Sequence, residues 1–320
     1  MIWLPILIFI ISCLVLFWSG NFLVGTLMRM AKFLGWREFV IAFFIMAFAA
    51  SAPNLFVGIS SAIHKIPQFS LGDVIGGNIV DLTLAFALAI LIGKTALPAP
   101  SRVVQTTTIF TTIISLLPLL LISDGILSKG DGIILIITFF VYIGWLFSKE
   151  ERFKLIYNQK KPGIVKGFKE FVKDSGKIVL ALILLILASE GVVKSAEYFV
   201  DVLNLTIPMV GILIIGLGNA LPEMYFAISA ARQGETWMVL GDLMGAIIVP
   251  ATLVLGIVAL ISPIKIVDFS PFGISLSFII ISALFFLLVT RTGKKITKKE
   301  AYFLLSIYIV FVIFQILFAR

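Results

Sequence analysis

Ten apolar stretches divide this 320-residue chain, covering roughly residues 2–33, 38–63, 70–93, 103–123, 131–148, 177–202, 206–231, 239–262, 271–290 and 299–319. Each is close to the roughly 20 residues that a helix needs to cross a bilayer. Hydrocarbon offers no water to the backbone, so every such stretch must close its own hydrogen bonds as a helix. Strands of an outer-membrane barrel would alternate polar and apolar residues, whereas these stretches run continuously apolar. Charged residues make up 13% of the chain, against about 25% in a soluble domain. A soluble enzyme, a nucleic-acid-binding domain and a disordered chain are thereby excluded. The expected fold class is an all-α polytopic membrane protein with ten transmembrane helices.

One long polar stretch, Lys149 to Lys177, carries nine Lys/Arg and separates five spans from five. It divides the chain into residues 1–148, a basic loop at 149–176, and residues 177–320. Basic residues favour the cytoplasmic side. With both termini outside and the central loop cytoplasmic, 20 of the 25 Lys/Arg fall inside. The basic loop is read chiefly as a topological anchor, with anionic lipid as a further partner. The start, Met1-Ile2-Trp3-Leu4-Pro5, has no basic region, so the first span is read as a retained helix. Cys13, the single cysteine, gives no disulfide framework and reads as an apolar filler.

The two halves resemble each other. Phe39–Ile90 aligns with Pro208–Ala259 without a gap at an offset of 169, matching Pro53/Pro222, Gly72/Gly241, Asp73/Asp242, Gly76/Gly245 and Thr83/Thr252. With five spans per half, the second copy inserts upside down. Inverted repeats characterise secondary transporters, whose sites lie near the midplane where the halves meet. Each copy has a proline inside an apolar helix, in Ala50-Ser51-Ala52-Pro53-Asn54 and Asn219-Ala220-Leu221-Pro222-Glu223. Proline removes a helix hydrogen bond and frees an upstream carbonyl, so breaks are expected in helices 2 and 7. Freed carbonyls suit hard cations.

Glu223 and Asp81 stand deep in apolar sequence, where a carboxylate costs roughly 2.5–3.5 kcal/mol on insertion scales. Two carboxylates match one divalent cation, or can each carry a proton. Gly77, Asn78 and Asp81 share one helix face. Asp73 and Asp242 lie nearer helix starts and read as caps or mouth-lining groups. Glu190 pairs with Lys194 along one helix, and His64 reads as a solvated loop residue. No nucleophile, zinc or nucleotide motif is present, and no enzymatic activity is expected.

These features resemble the calcium/cation antiporter superfamily, of which the sodium/calcium exchangers are the best-known branch. The resemblance rests on two inverted repeats, a proline-acid helix and a following Gly-Asp-x-x-Gly-x-Asn helix. In that family each repeat carries Gly-x-Ser/Thr-x-Pro-Glu; the two glutamates bind calcium, and hydroxyls, amides and carbonyls bind sodium. The resemblance implies a divalent-cation antiporter, calcium against sodium, working by alternating access with no covalently bound cofactor. Its cation site would comprise Glu223 and Asp81 with Asn54, Ser51, Asn78 and Asn219, and the backbone carbonyls of Ala47, Ala50, Gly216 and Asn219. The alternatives are calcium/proton exchange and a non-transporting protein on the same scaffold. Asn54 departs from the family's first glutamate, and Pro250 from its second-repeat ligand.

Overall fold

The computed structural model describes residues 3–33, 51–93, 97–98, 102–148, 164–234, 236–292 and 295–318. Its helices are α1 (Trp3–Phe33), α2 (Ala52–Ile63), α3 (Gln68–Val80), α4 (Phe86–Ile92), α5 (Arg102–Leu121), α6 (Lys129–Ser148), α7 (Ile164–Leu203), α8 (Ile207–Val210), α9 (Gly216–Gln233), α10 (Thr236–Val249), α11 (Leu255–Ile261), α12 (Ser270–Thr292) and α13 (Lys298–Phe318). π-helical turns at Asp81–Ala85, Gly211–Ile215 and Pro250–Val254 join α3 to α4, α8 to α9 and α10 to α11. Among the described residues, nine helices are long and apolar enough to cross a membrane. The second expected span is described only from Ser51 onward.

Lipid shapes the outer helices. On α6, Ile133, Ile134, Ile137 and Val141 are exposed while Leu135, Phe139, Tyr142 and Leu146 are buried. This stripe of about one helix face is apolar on both sides, as a lipid-facing helix requires. The rods α3–α4 and α10–α11 are buried almost all round and form the centre of the bundle. Around them run α5, α6, α12 and α13.

Where α3 crosses the seventh span, the two backbones touch. A methyl group built on Gly72 would lie 2.9 Å from the Gly211 Cα, and one built on Gly216 would lie 2.8 Å from the Gly77 nitrogen. One built on Gly76 would collide with the Ile212 carbonyl oxygen. A π turn adds one residue to the helical repeat. It therefore brings Gly211 and Gly216, five apart, onto the same face. Small residues on both partners are what permit this approach.

α1 and the 40-residue α7 pack side by side. Leu16 with Leu185, and Leu23 with Val192, stand at the repeat offset and are all buried in one cluster. At one end Asp174 accepts from Arg29 Nε at 3.2 Å and from Lys177 Nζ at 2.6 Å. Further along, the Ser60 hydroxyl donates to Glu190 Oε2 at 2.9 Å, and Glu190 Oε1 meets Lys194 Nζ at 3.0 Å and His64 Nε2 at 3.1 Å. The Glu190–Lys194 pair is as expected. His64 is not simply solvated, because the end of α2 sets its ring against α7. Glu190→Gln is expected to cost about 0.2–1 kcal/mol for each half-exposed ion pair weakened, read as a small fall in thermal midpoint in detergent.

Two short ribbons complete the fold: β1 (Leu97–Pro98) pairs with β4 (Lys295–Ile296), and β2 (Ile126–Leu127) with β3 (Ile264–Lys265), both antiparallel. Each joins a loop of one half to a loop of the other. Alternation of ten spans puts both loops of a ribbon on the same membrane face.

Two expectations need correction. Residues from Ile164 onward are helical and continuous with the sixth span, so the polar stretch is not loop up to residue 176. Polarity there reports water around the segment, not irregular backbone. In the seventh span, α9 runs through Pro222, and the interruption is the π turn at Gly211–Ile215 upstream. In the first half Ser51 is the turn residue from which α2 starts, with Pro53 in the opening turn, where its missing N–H is no loss.

Candidate functional site

A small cavity opens where α2, α3, α9 and α10 converge, lined by Asn54, Asp73, Asn78, Asp81, Asn219 and Glu223 together with Val74, Gly77, Gly216, Ala220, Ala246 and Pro250. Asn54 comes from the start of α2, and Asp73 to Asp81 from one side of the rod beginning at α3. Gly216, Asn219 and Glu223 follow at spacings of three and four along α9, which puts them on one face.

The π turns set the register of this lining. They occupy Asp81–Ala85 and Pro250–Val254, the same five positions of the two repeats. Such bulges are rare and recur at functional sites because the extra residue re-aims its neighbours and leaves backbone groups unpaired. The Thr83 hydroxyl bonds the Ile79 carbonyl, and its counterpart Thr252 donates to the Ile248 carbonyl at 2.6 Å. The first residue of each turn faces the cavity: Asp81 in one repeat, Pro250 in the other.

Polar atoms in and around the cavity are left open. Glu223 Oε2, Asp81 Oδ1, Asn54 Oδ1 and Asn78 Nδ2 are buried without a hydrogen-bond partner among the described residues, as is the Ser51 hydroxyl. Glu223 and Asp81 are each 4% exposed. Glu223 lies within electrostatic reach of Asp81, Asp242 and Asp73. Among the described residues, no Lys, Arg or His lines the cavity to offset these carboxylates. An anionic, oxygen-rich chamber of this kind favours a hard cation. Among the described residues, no group of three or more His, Cys, Asp or Glu is arranged to hold a metal ion, so amide and carbonyl oxygens would have to complete any coordination.

Of the residues singled out from sequence, Glu223, Asp81, Asn54, Asn78, Asn219 and Gly216 line this one cavity. Ser51 is buried at the foot of α2 but is not part of the lining. Ala47 and Ala50 lie outside the described residues. Asp73 was expected to cap a helix or line a mouth. Instead α3 begins five residues earlier at Gln68, and Asp73 is buried in the chamber. Its Oδ1 and Oδ2 accept from Asn219 Nδ2 at 3.1 and 3.0 Å. Spacing held the signal: Asp73, Gly77 and Asp81 recur every four residues, so the face carrying Asp81 extends back to Asp73. Its counterpart Asp242 sits one turn before Ala246, half-buried, with Oδ2 unpartnered among the described residues.

A multi-pass helical bundle with a buried, carboxylate-lined chamber between its two halves is a membrane carrier for cations. The profile of the sodium/calcium exchanger protein family matches residues 4–148 and 176–317. The chain belongs to that family; it is an integral membrane cation antiporter and not an enzyme. Among curated relatives, sodium/calcium exchanger MaX1 of Methanosarcina acetivorans is 24% identical over 98% of this chain and 99% of its own. Inner membrane protein YrbG of Escherichia coli is 26% identical over 79% of each. A solved structure of the sodium-calcium exchanger NCX_Mj, soaked with Na+ and Sr2+, superposes with a TM-score of 0.67 at 21% identity, over 98% of this chain and 99% of that one. That likeness shows the all-α fold.

Proposed function

We propose that the chain exchanges calcium for sodium by alternating access through this chamber. The observation that supports this most directly is the meeting of Glu223 and Asp81. They come from opposite halves, they share one buried cavity, and each has an open oxygen. Their two charges would hold a divalent ion, with neutral oxygens from Asn54, Asn78 and Asn219, and carbonyls at Gly216, Ala47 and Ala50, completing the shell. Ser51 would supply a hydroxyl if it turns inward. The relative named sodium/calcium exchanger MaX1 supports the choice of ions. Exchange follows from mutual exclusion, because one pair of carboxylates cannot hold both ion sets at once. The long α1 and α7, packed mainly on each other, would slide across the central rods to expose the chamber to either side. Both termini would lie outside, with the basic segment 149–176 cytoplasmic and able to meet anionic lipid.

A second reading, calcium against protons, has one observation in its favour: among the described residues lining the cavity there is no Ser or Thr, and a sodium ion would lack hydroxyl ligands from them. Purified protein in liposomes separates the readings. Calcium uptake driven by an outward sodium gradient supports the first, and uptake driven only by a proton gradient supports the second. Folded protein that moves calcium under neither gradient overturns calcium antiport and leaves another cation or a non-transporting role.

A further inference from the structure

Glu223 and Asp81 carry open oxygens, but the third carboxylate of the chamber does not. Both oxygens of Asp73 are taken by one amide nitrogen, Asn219 Nδ2, at 3.1 and 3.0 Å. The two residues are 2% and 4% exposed and are 146 positions apart, so the contact joins α3 of the first half to α9 of the second. Beneath it the backbones already touch, since a methyl group on Gly216 would lie 3.0 Å from the Asp73 carbonyl oxygen.

We propose that Asp73 is a positioning residue of the cation site and acts through Asn219. The proposal rests on the reading of the chamber as a cation site. A carboxylate accepts and cannot donate, so its contact fixes which end of the Asn219 amide it meets: the NH2 group. The carbonyl Oδ1 then points to the other side. Without Asp73 the NH2 would be free to turn toward Glu223 or Asp81, and a cation would meet amide hydrogens in place of an oxygen. Partners behind a ligand often matter in this way, and their loss typically weakens metal affinity roughly 10–100-fold.

The repeat supports the assignment. Counting 169 residues across, Asn219 corresponds to Ala50 and Asp73 to Asp242. The alanine side chain has no amide to orient, and Asp242 Oδ2 is buried with no hydrogen-bond partner among the described residues.

The test is a variant cycle on the full chain in detergent, reading calcium affinity by titration calorimetry and by calcium-dependent thermal stabilisation. Asp73→Ala and Asn219→Ala should each weaken calcium binding by about tenfold or more. The double variant should be no weaker than Asn219→Ala. Asp73→Asn, which keeps an acceptor oxygen, should stay within about threefold of the unaltered chain. In liposomes the Asp73→Ala loss should appear in KM, with turnover at saturating calcium kept. Losses that multiply in the double variant, or Asp73→Asn as harmful as Asp73→Ala, would show that Asp73 binds the ion by its own charge and overturn the proposal. So would a lowered thermal midpoint with unchanged affinity, which is a structural role only. An unaltered chain that binds no calcium would overturn the functional reading and this inference together.

Discussion

If the chamber holds calcium as proposed, Glu223→Gln is expected to yield a chain that inserts and folds but no longer binds or carries calcium. The substitution keeps the volume of the side chain and removes one of the two charges that meet in the chamber. Glu223 is 4% exposed, and its Oε2 has no partner among the described residues. Water cannot replace the lost charge at such depth. Breaking a buried charge pair from one side costs about 3–5 kcal/mol, and every 1.4 kcal/mol is tenfold in affinity. Calcium binding should therefore fall by at least about a hundredfold, beyond detection in most titrations. The thermal midpoint without calcium should hold or rise, because a buried charge with no counter-ion is gone. Asp81→Asn should behave in the same way, since its open Oδ1 faces the same cavity. Retention of near-normal calcium affinity by both variants would remove the chamber from consideration as the calcium site.

The second large effect is structural. Gly76→Ala should prevent the chain from folding to a monodisperse species. The added methyl would meet the Ile212 carbonyl oxygen and lie 2.8 Å from the Ile212 Cα. Overpacking of side chain against side chain costs typically 1–3 kcal/mol. Here the obstacle is backbone, which has no rotamer to escape into, so the expected cost is about 3 kcal/mol or more. Gly273→Ala and Gly144→Ala supply the comparison, since nothing lies within 4 Å of either new methyl. Both should be neutral or slightly stabilising, because alanine is the better helix former. Size-exclusion profiles and thermal midpoints of the three variants decide the matter. A well-behaved Gly76→Ala would mean that the crossing is looser than these distances.

What the sequence disclosed follows from what lipid does to a chain. The spans were legible because hydrocarbon demands long apolar runs. Glu223 and Asp81 stood out because charge in such runs is costly. Asp73 was misjudged for a reason of scale: a helix start misplaced by a few residues turns a chamber residue into an apparent cap. The setting of His64 is not legible locally, because its partner Glu190 lies 126 positions away on another span. The helical start of α7 was hidden because hydropathy tracks solvent and not backbone form. The π turns have no residue signature, although their recurrence at one offset follows once the repeat is seen.

The crossing of α3 with the seventh span has a mechanical consequence. Gears that mesh tooth to tooth do not swing apart, and here the teeth are main-chain atoms. The two halves are further tied at both rims, by β1 with β4 and by β2 with β3. A carrier built this way is barred from opening like a clam, with each half swinging as one body. Its access route must be uncovered by whatever lies outside the interlocked centre, as a shutter slides over a fixed window frame. Under the proposed exchange that part would be the pair α1 and α7, whose broadest packing is against each other.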